Sequence, residues 1–456
     1  MRTAWLGMFL LMAADAALAQ FRPLRFDDEF SVQRQSCAEG SNPGACWKDR
    51  PIADHIADHM RLSLGGDLRL RYEHTGNPRY GLDPQDRRGV AMVRGSVFTD
   101  LRLDEHWRGF AQLASSRTNG RTAGPSPVDE DRLDPTNLFV EWRSATQGDD
   151  GIGMRVGIQE LQFGSGRAID AREGPNVRRS FDAVRAYSTS GPWRVDAFAA
   201  KPRLNRLGSF DDARSQTQSL RGVYATRSAG VTSLDVYALH FEDTAARYVQ
   251  GVAHERRWSL GTRVFGSHDA WNWNWEFAAQ GGKFGDADIR AWSLATDTGY
   301  SFGDVPGKLR AALLVAIASG DKDPGDDRLE TLNPIYPRGN YFGDEATLGP
   351  RNFFNIHPAL TLQPSPAVQL TAGVDFFWRY STRDGVYAPN GMLIRPAGDS
   401  RARHVATIAS IATTRTLAPR WSSSAVVAYA RPGAFLRETG ATDALSFLSL
   451  SLQYRF

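Results

Sequence analysis

From Arg61 onward the chain repeats one unit, a long run in which apolar and polar side chains alternate residue by residue. Leu62, Leu64, Leu68, Leu70 and Tyr72 alternate with Ser63, Asp67, Arg69, Arg71 and Glu73. Trp271, Trp273, Trp275 and Phe277 alternate with Asn272, Asn274 and Glu276, and Val368, Leu370, Ala372, Val374, Phe376 and Trp378 with Gln369, Thr371, Asp375 and Phe377. The stretch Ala444 to Phe456 repeats the pattern, with Leu448, Leu450, Leu452, Tyr454 and Phe456 on one face. Successive side chains of a strand point to opposite faces, so a sustained period of two describes strands with one apolar and one polar face. Soluble strands usually run ~5–6 residues, whereas a tilted bilayer crossing takes ~9–11. The runs therefore predict strands with lipid on one side and an aqueous lumen on the other.

About eighteen such strands fit between Arg61 and Phe456, with runs near 136–144, 231–242 and 254–266 among them. The connections alternate between long and tight. Thr118 to Pro135, Leu161 to Phe181 and Ser319 to Arg351 are long, while Ser190-Gly191, Ala229-Gly230 and Leu417 to Pro419 are tight. Gly282 to Asp286 is the one connection too short for its place. Long loops outside and short turns in the periplasm are the habit of transmembrane barrels. The fold class is all-β, a transmembrane antiparallel barrel with both termini in the periplasm. A mean hydropathy of −0.40 with 43 glycines fits a barrel whose polar lumen masks its lipid face. Trp107, Trp142, Trp193, Trp258, Trp271 and Trp421 fall near strand ends, where an indole suits the membrane interface.

Residues 1–19 carry Arg2, an apolar run from Ala4 to Ala14, and Ala17-Leu18-Ala19 before Gln20. That is the layout of a cleaved secretory signal. Residues 20–60 form a periplasmic lead-in, and 61–456 the barrel. Cys37 and Cys46 are the only cysteines. In an oxidising compartment they are expected to form a local disulfide. His55 and His59 have helical spacing but no third ligand, so no metal is expected.

Of the 54 basic residues only Lys48, Lys201, Lys283, Lys308 and Lys322 are lysines. Many arginines fall on the inward register, including Arg69, Arg94, Arg108, Arg155 and Arg263, beside Asp67, Asp100, Glu141, Asp196, Glu276 and Asp375. Guanidinium is permanently charged and forks onto carboxylates. Two readings follow: an electropositive path for anions, or a mutually paired structural ladder. The densest stretch is Gly157 to Arg185, a strand that becomes a Gly-rich loop and returns as a strand. Arg155, Arg167, Arg172, Arg178, Arg179, Arg185 and Asp182 are the candidate pore contacts.

This stretch resembles the signature of the alginate export family of outer-membrane barrels. Gly157, Gln159, Leu161 and Gly164 lead into an Arg-containing loop, which returns through Arg179, Ser180, Phe181, Asp182 and Arg185. The loop from Leu332 to Gly343 is also similar. The resemblance implies an eighteen-stranded barrel exporting polysaccharide through an electropositive pore.

The function expected is passive passage of an anionic polysaccharide or other anion through an outer-membrane channel. The alternatives are an outer-membrane protease or lipid hydrolase, for which His74, His240 and His254 are the candidates but lack a nucleophile motif, and a structural or adhesive barrel. Asp321, Asp323, Asp326, Asp327 and Glu330 cluster in the longest loop without the EF-hand spacing for calcium. Expected partners are outer-membrane lipid and lipopolysaccharide, the barrel-assembly machinery and the transported anion. Nucleic acid is not expected, nor is a cofactor.

Overall fold

The computed structural model describes residues 22–28, 30, 40, 46–51, 60–144, 150–303, 305–440 and 442–456. The expected signal segment, Cys37, His55 and His59 lie outside the described residues; Cys46 is disulfide-bonded.

Eighteen long strands make the wall. The first nine are Arg61–Gly76 (β1), Val90–Arg102 (β2), Trp107–Asn119 (β3), Asp131–Arg143 (β4), Gly151–Gln159 (β5), Phe181–Ser190 (β6), Trp193–Leu204 (β7), Gln218–Arg227 (β8) and Thr232–Tyr248 (β9). The rest are Gly251–His268 (β10), Trp271–Phe284 (β11), Ala287–Ser301 (β12), Arg310–Ala318 (β13), Phe353–Ser365 (β14), Val368–Trp378 (β15), His404–Ala418 (β16), Trp421–Pro432 (β17) and Leu445–Arg455 (β18). Each pairs antiparallel with the next, and β1 pairs with β18 from Asp67↔Arg455 to Gly76↔Ser446, which closes the barrel.

The predicted faces hold. Leu68, Leu70, Val97, Trp275, Phe277 and Leu450 are exposed outward, while Ser63, Asp67, Arg69, Phe98, Glu276 and Ser449 are buried inside. β3, β7, β11 and β17 each follow a short turn and each begin on tryptophan, at Trp107, Trp193, Trp271 and Trp421. Trp107 sits opposite Trp142, Trp271 against Tyr300 and Trp421 against Tyr454. One rim therefore carries an aromatic girdle.

The structure differs from the sequence reading at the hairpin of β9 and β10. These strands run on to Tyr248 and back from Gly251, leaving only residues 249–250 as the turn. Beyond the bilayer a strand pair needs its backbone ladder but no apolar face, so Asp243 to Ala253 carries no alternation to detect.

Two segments enter the barrel. At the short-turn end Phe26 meets Phe110 and Phe139 edge-on at 6.0 and 5.4 Å, and Phe30 stacks on Phe98 at 5.6 Å. Part of the lead-in expected before the barrel is thus packed against inward-facing rings. Lys48 follows it, donating to the carbonyl oxygens of Leu64 (2.7 Å) and Phe456 (3.3 Å). Gly65 makes this possible: a Cβ there would lie 2.0 Å from the Lys48 nitrogen. The second segment is the loop 160–180.

Candidate pore interior

The inward register brings arginines and carboxylates face to face across neighbouring strands. Glu141 on β4 accepts from Arg155 of β5 (3.1 Å), Arg108 of β3 (3.3 Å) and the Tyr187 hydroxyl of β6 (2.6 Å). Arg108 also donates to Asp100 (2.6 Å) and to the Phe26 carbonyl (2.7 Å). The Arg155 guanidinium lies 4.3 Å from the ring centres of both Phe26 and Phe139. Arg185 forks onto Asp196 at 2.8 and 2.7 Å, and Arg263 bridges Asp235 (2.9 Å) and Asn274 (2.7 Å). Each charge is buried with an opposite partner, the condition under which a buried ion is tolerated.

The loop 160–180 spans the lumen. On one side Arg167 donates to Glu276 of β11 at 3.2 Å, and the Ser165 hydroxyl donates to the same carboxylate. On the other, Arg69 of β1 donates to the carbonyls of Glu173 (2.9 Å) and Pro175 (2.8 Å), and Arg94 of β2 pairs with the Glu173 side chain. β1 and β11 lie on nearly opposite walls of the closed order. The loop is braced by the longest connection, where Ile169 and Tyr336 form a parallel bridge with N–H···O contacts of 2.9 Å. Gly164 and Gly166 hold φ of 54° and 73°, backbone that favours glycine.

The seven candidates do not gather into one belt. Arg155, Arg167 and Arg185 are ion-paired as described, and Arg178 pairs with both Glu160 and Glu173 while donating to the Pro23 carbonyl at 3.1 Å. Arg178 thereby ties the loop to the lead-in. Asp182 receives Arg203 at 3.5 Å. Arg172 donates to the Val177 carbonyl (3.1 Å) and the Asn205 side chain (3.3 Å). Burial, and then neighbouring Arg179, lower it to about 9, so it stays charged at neutral pH. Arg179 donates to the Pro337 carbonyl at 3.3 Å and lies over the Tyr336 ring. A small chamber of about 30 Å³ lies among Arg25, Asp67, Arg94, Glu160, Glu173 and Arg178.

Sequence reasoning missed Arg25, Phe26, Asp28 and Lys48. The signal was present: Leu24, Phe26 and Phe30 are apolar in a stretch read as aqueous lead-in. The other candidates resolve into local contacts. His254 pairs with Glu242 at 2.8 Å, and His240 lies edge-on to Trp258. In the acidic loop, Asp321 accepts from Gln250 (2.6 Å), Arg383 meets Asp323 (3.2 Å) and Lys322 meets Glu330 (2.7 Å).

A closed barrel of eighteen antiparallel strands, apolar outside and charged within, defines an outer-membrane channel of the porin type. Residues 60–446 match the alginate export family, and the chain belongs to it. No curated protein matches the chain. Among solved structures, OccK11 (OpdR) of Pseudomonas aeruginosa is 13% identical with a TM-score of 0.54, over 87% of this chain and 96% of that one. OccAB1 of Acinetobacter baumannii is 11% identical with a TM-score of 0.59, over 89% and 98%. OccD3 (OpdP) of Pseudomonas aeruginosa is 10% identical with a TM-score of 0.59, over 92% and 97%. At these identities the likeness concerns the fold.

Proposed function

We propose that the channel passes anions, with an anionic polysaccharide of the alginate type or small carboxylated solutes as its cargo. The observation that carries this reading is the setting of Arg172 and Arg179. Both lie on the loop that spans the lumen and donate to neutral oxygens, and the one carboxylate that acts on both is Asp170, so the pair keeps a net positive charge. Partly hydrated guanidinium groups offer carboxylates forked contacts that are worth having but weak enough to release. Arg155 and Arg185 serve the wall, Arg167 joins the loop to it and Arg178 joins the loop to the lead-in, because their charge is matched by carboxylates. Family membership supports a polymer cargo. The space of about 30 Å³ between the lead-in, the loop and the wall holds little more than one water, far below the usual ~300–1,000 Å³ of a ligand pocket. Passage of a threaded polymer or of a small anion by this route therefore requires the lead-in or the loop to move aside.

Reversal potentials in planar bilayers under a KCl gradient test the reading. Arg172→Gln with Arg179→Gln should bring a chloride preference down several-fold toward non-selectivity, while the barrel remains heat-modifiable on gels. An unchanged reversal potential removes these two arginines from the filter. A channel that prefers potassium from the start refutes the anion reading itself.

A further inference from the structure

The loop-bearing end of β4 holds a group of carboxylates that the channel reading does not use. Asp131, Asp134 and Asp212 bring carboxylate oxygens within 4.8 Å of one another. In a regular strand residues 131 and 134, an odd number apart, face opposite ways. Here the ladder with β3 slips, so that Ala114 faces Asp134 while Ser116 faces Asp131. This bulge re-aims the strand, and both carboxylates are buried, Asp131 at 5% and Asp134 at 1% exposure. Asp212 arrives from the loop 205–217. β5 pairs β4 only along Leu138 to Arg143, and above that point the loop takes its place. Ser209 bridges Leu133, the Arg132 N–H donates to Gly208 (2.9 Å) and the Phe210 N–H donates to Leu133 (2.9 Å).

A second observation points to a ligand. Asp131 Oδ1 and Asp134 Oδ2 are buried without a hydrogen-bond donor, as is the hydroxyl of Thr136, which lines the same chamber as Asp131. Adjoining Asp211 has an undonated buried oxygen too. Asp212 accepts from the Asn205 amide (3.1 Å) and the Arg206 N–H (2.7 Å). Arg203, bound to the Asp212 carbonyl (2.8 Å) and paired with Asp182, is the one cation that acts on the Asp212 carboxylate, while outward-turned Arg132 pairs with Glu130. Carboxylates taken out of water need a compensating charge. Calcium takes all-oxygen ligands at ~2.3–2.6 Å, so two ligand atoms on one ion lie at most about 5 Å apart. Magnesium at ~2.0–2.1 Å needs them closer and gives up its waters reluctantly.

We propose that Asp131, Asp134 and Asp212 form a divalent-cation site, suited to calcium, that fastens the loop 205–217 to the barrel wall. Full-length protein in detergent, stripped with chelator and titrated with calcium chloride by calorimetry, should show a saturable site of Kd ~10⁻⁴–10⁻³ M, the range of extracellular calcium modules. Asp134→Asn with Asp212→Asn should weaken it at least tenfold, while Asp323→Asn with Asp326→Asn, in the other acidic loop, should not. Calcium should also slow tryptic cleavage after exposed Arg206 several-fold in the parent and not in the double variant. Should the double variant fail to form a heat-modifiable barrel, Asp212→Asn alone carries the same test from outside the ladder. No calcium heat in the parent would mean that shared protons hold the cluster and would overturn the proposal. Calcium binding that survives the loss of Asp212 overturns it equally.

Discussion

Lys48 shows how strongly one side chain is shaped by its seat. It is buried at 1% exposure between the carbonyls of Leu64 and Phe456 and the rings of Phe30 and Phe98. Burial, and then the charge of Arg25, push its amine down to about 7, with Asp28 and Asp100 opposing and Arg420 adding a little. In the unfolded chain the amine keeps the ordinary lysine value of ~10.4. Between these two values the unseated chain binds more protons than the seated one, so seating gains stability as pH rises. The gain begins near pH 7, is complete above about 10.5, and is lost as the amine is reprotonated in place. Hydrogen exchange of residues 22–28, expressed as protection factors corrected for intrinsic rate, should therefore rise from pH 6 to pH 9. Lys48→Met should flatten the dependence; an equally steep rise in that variant would assign it to another group. Nothing in the sequence around Lys48 announces this. The register of β1 says which way Gly65 faces, but not that a lysine from outside the barrel fills the space.

At the scale of elements, the lead-in from Leu24 to Phe30 owes its place to a few rings. A buried phenylalanine cut to alanine loses ~3–5 kcal/mol, a large loss for a short segment whose other holds are hydrogen bonds through Arg108, Arg178 and Arg25. Phe26→Ala removes the contacts to Phe110 and Phe139 and the ring beneath Arg155. Single-channel conductance should then rise at least twofold. If it does not, the segment lies beside the ion path and not in it. The strands themselves were legible because a period of two survives any error in their ends. Their partners across the ladder were not. Glu141 draws its three donors from β3, β5 and β6, and a face assignment cannot say which inward groups meet. The start of β4 was hidden for a different reason. Pro135 reads as a loop residue, so the strand was expected from 136, and the bulge that gathers Asp131 and Asp134 fell outside it.

For the whole molecule, the alternation of loops predicts an orientation. In intact cells, with Cys37 and Cys46 replaced, a cysteine introduced at Asp326 should react with an impermeant maleimide, whereas one at Ser365 should not. The reverse pattern would invert the barrel. Loop alternation was readable in the sequence; the use made of the loops was not, because contacts such as Arg69 to Pro175 join positions far apart in the chain. The seam of the barrel adds a matter of timing. Phe456 exchanges backbone hydrogen bonds of 3.0 Å with Gly66, and its carbonyl is also held by Lys48 and by Arg25 at 3.3 Å. The lead-in thus docks across the seam between β1 and β18. Its ring contacts to β2, β3 and β4 need only those strands, but its hydrogen bonds to Phe456 wait until β18 has joined β1, so full seating of the lead-in and closure of the wall are coupled.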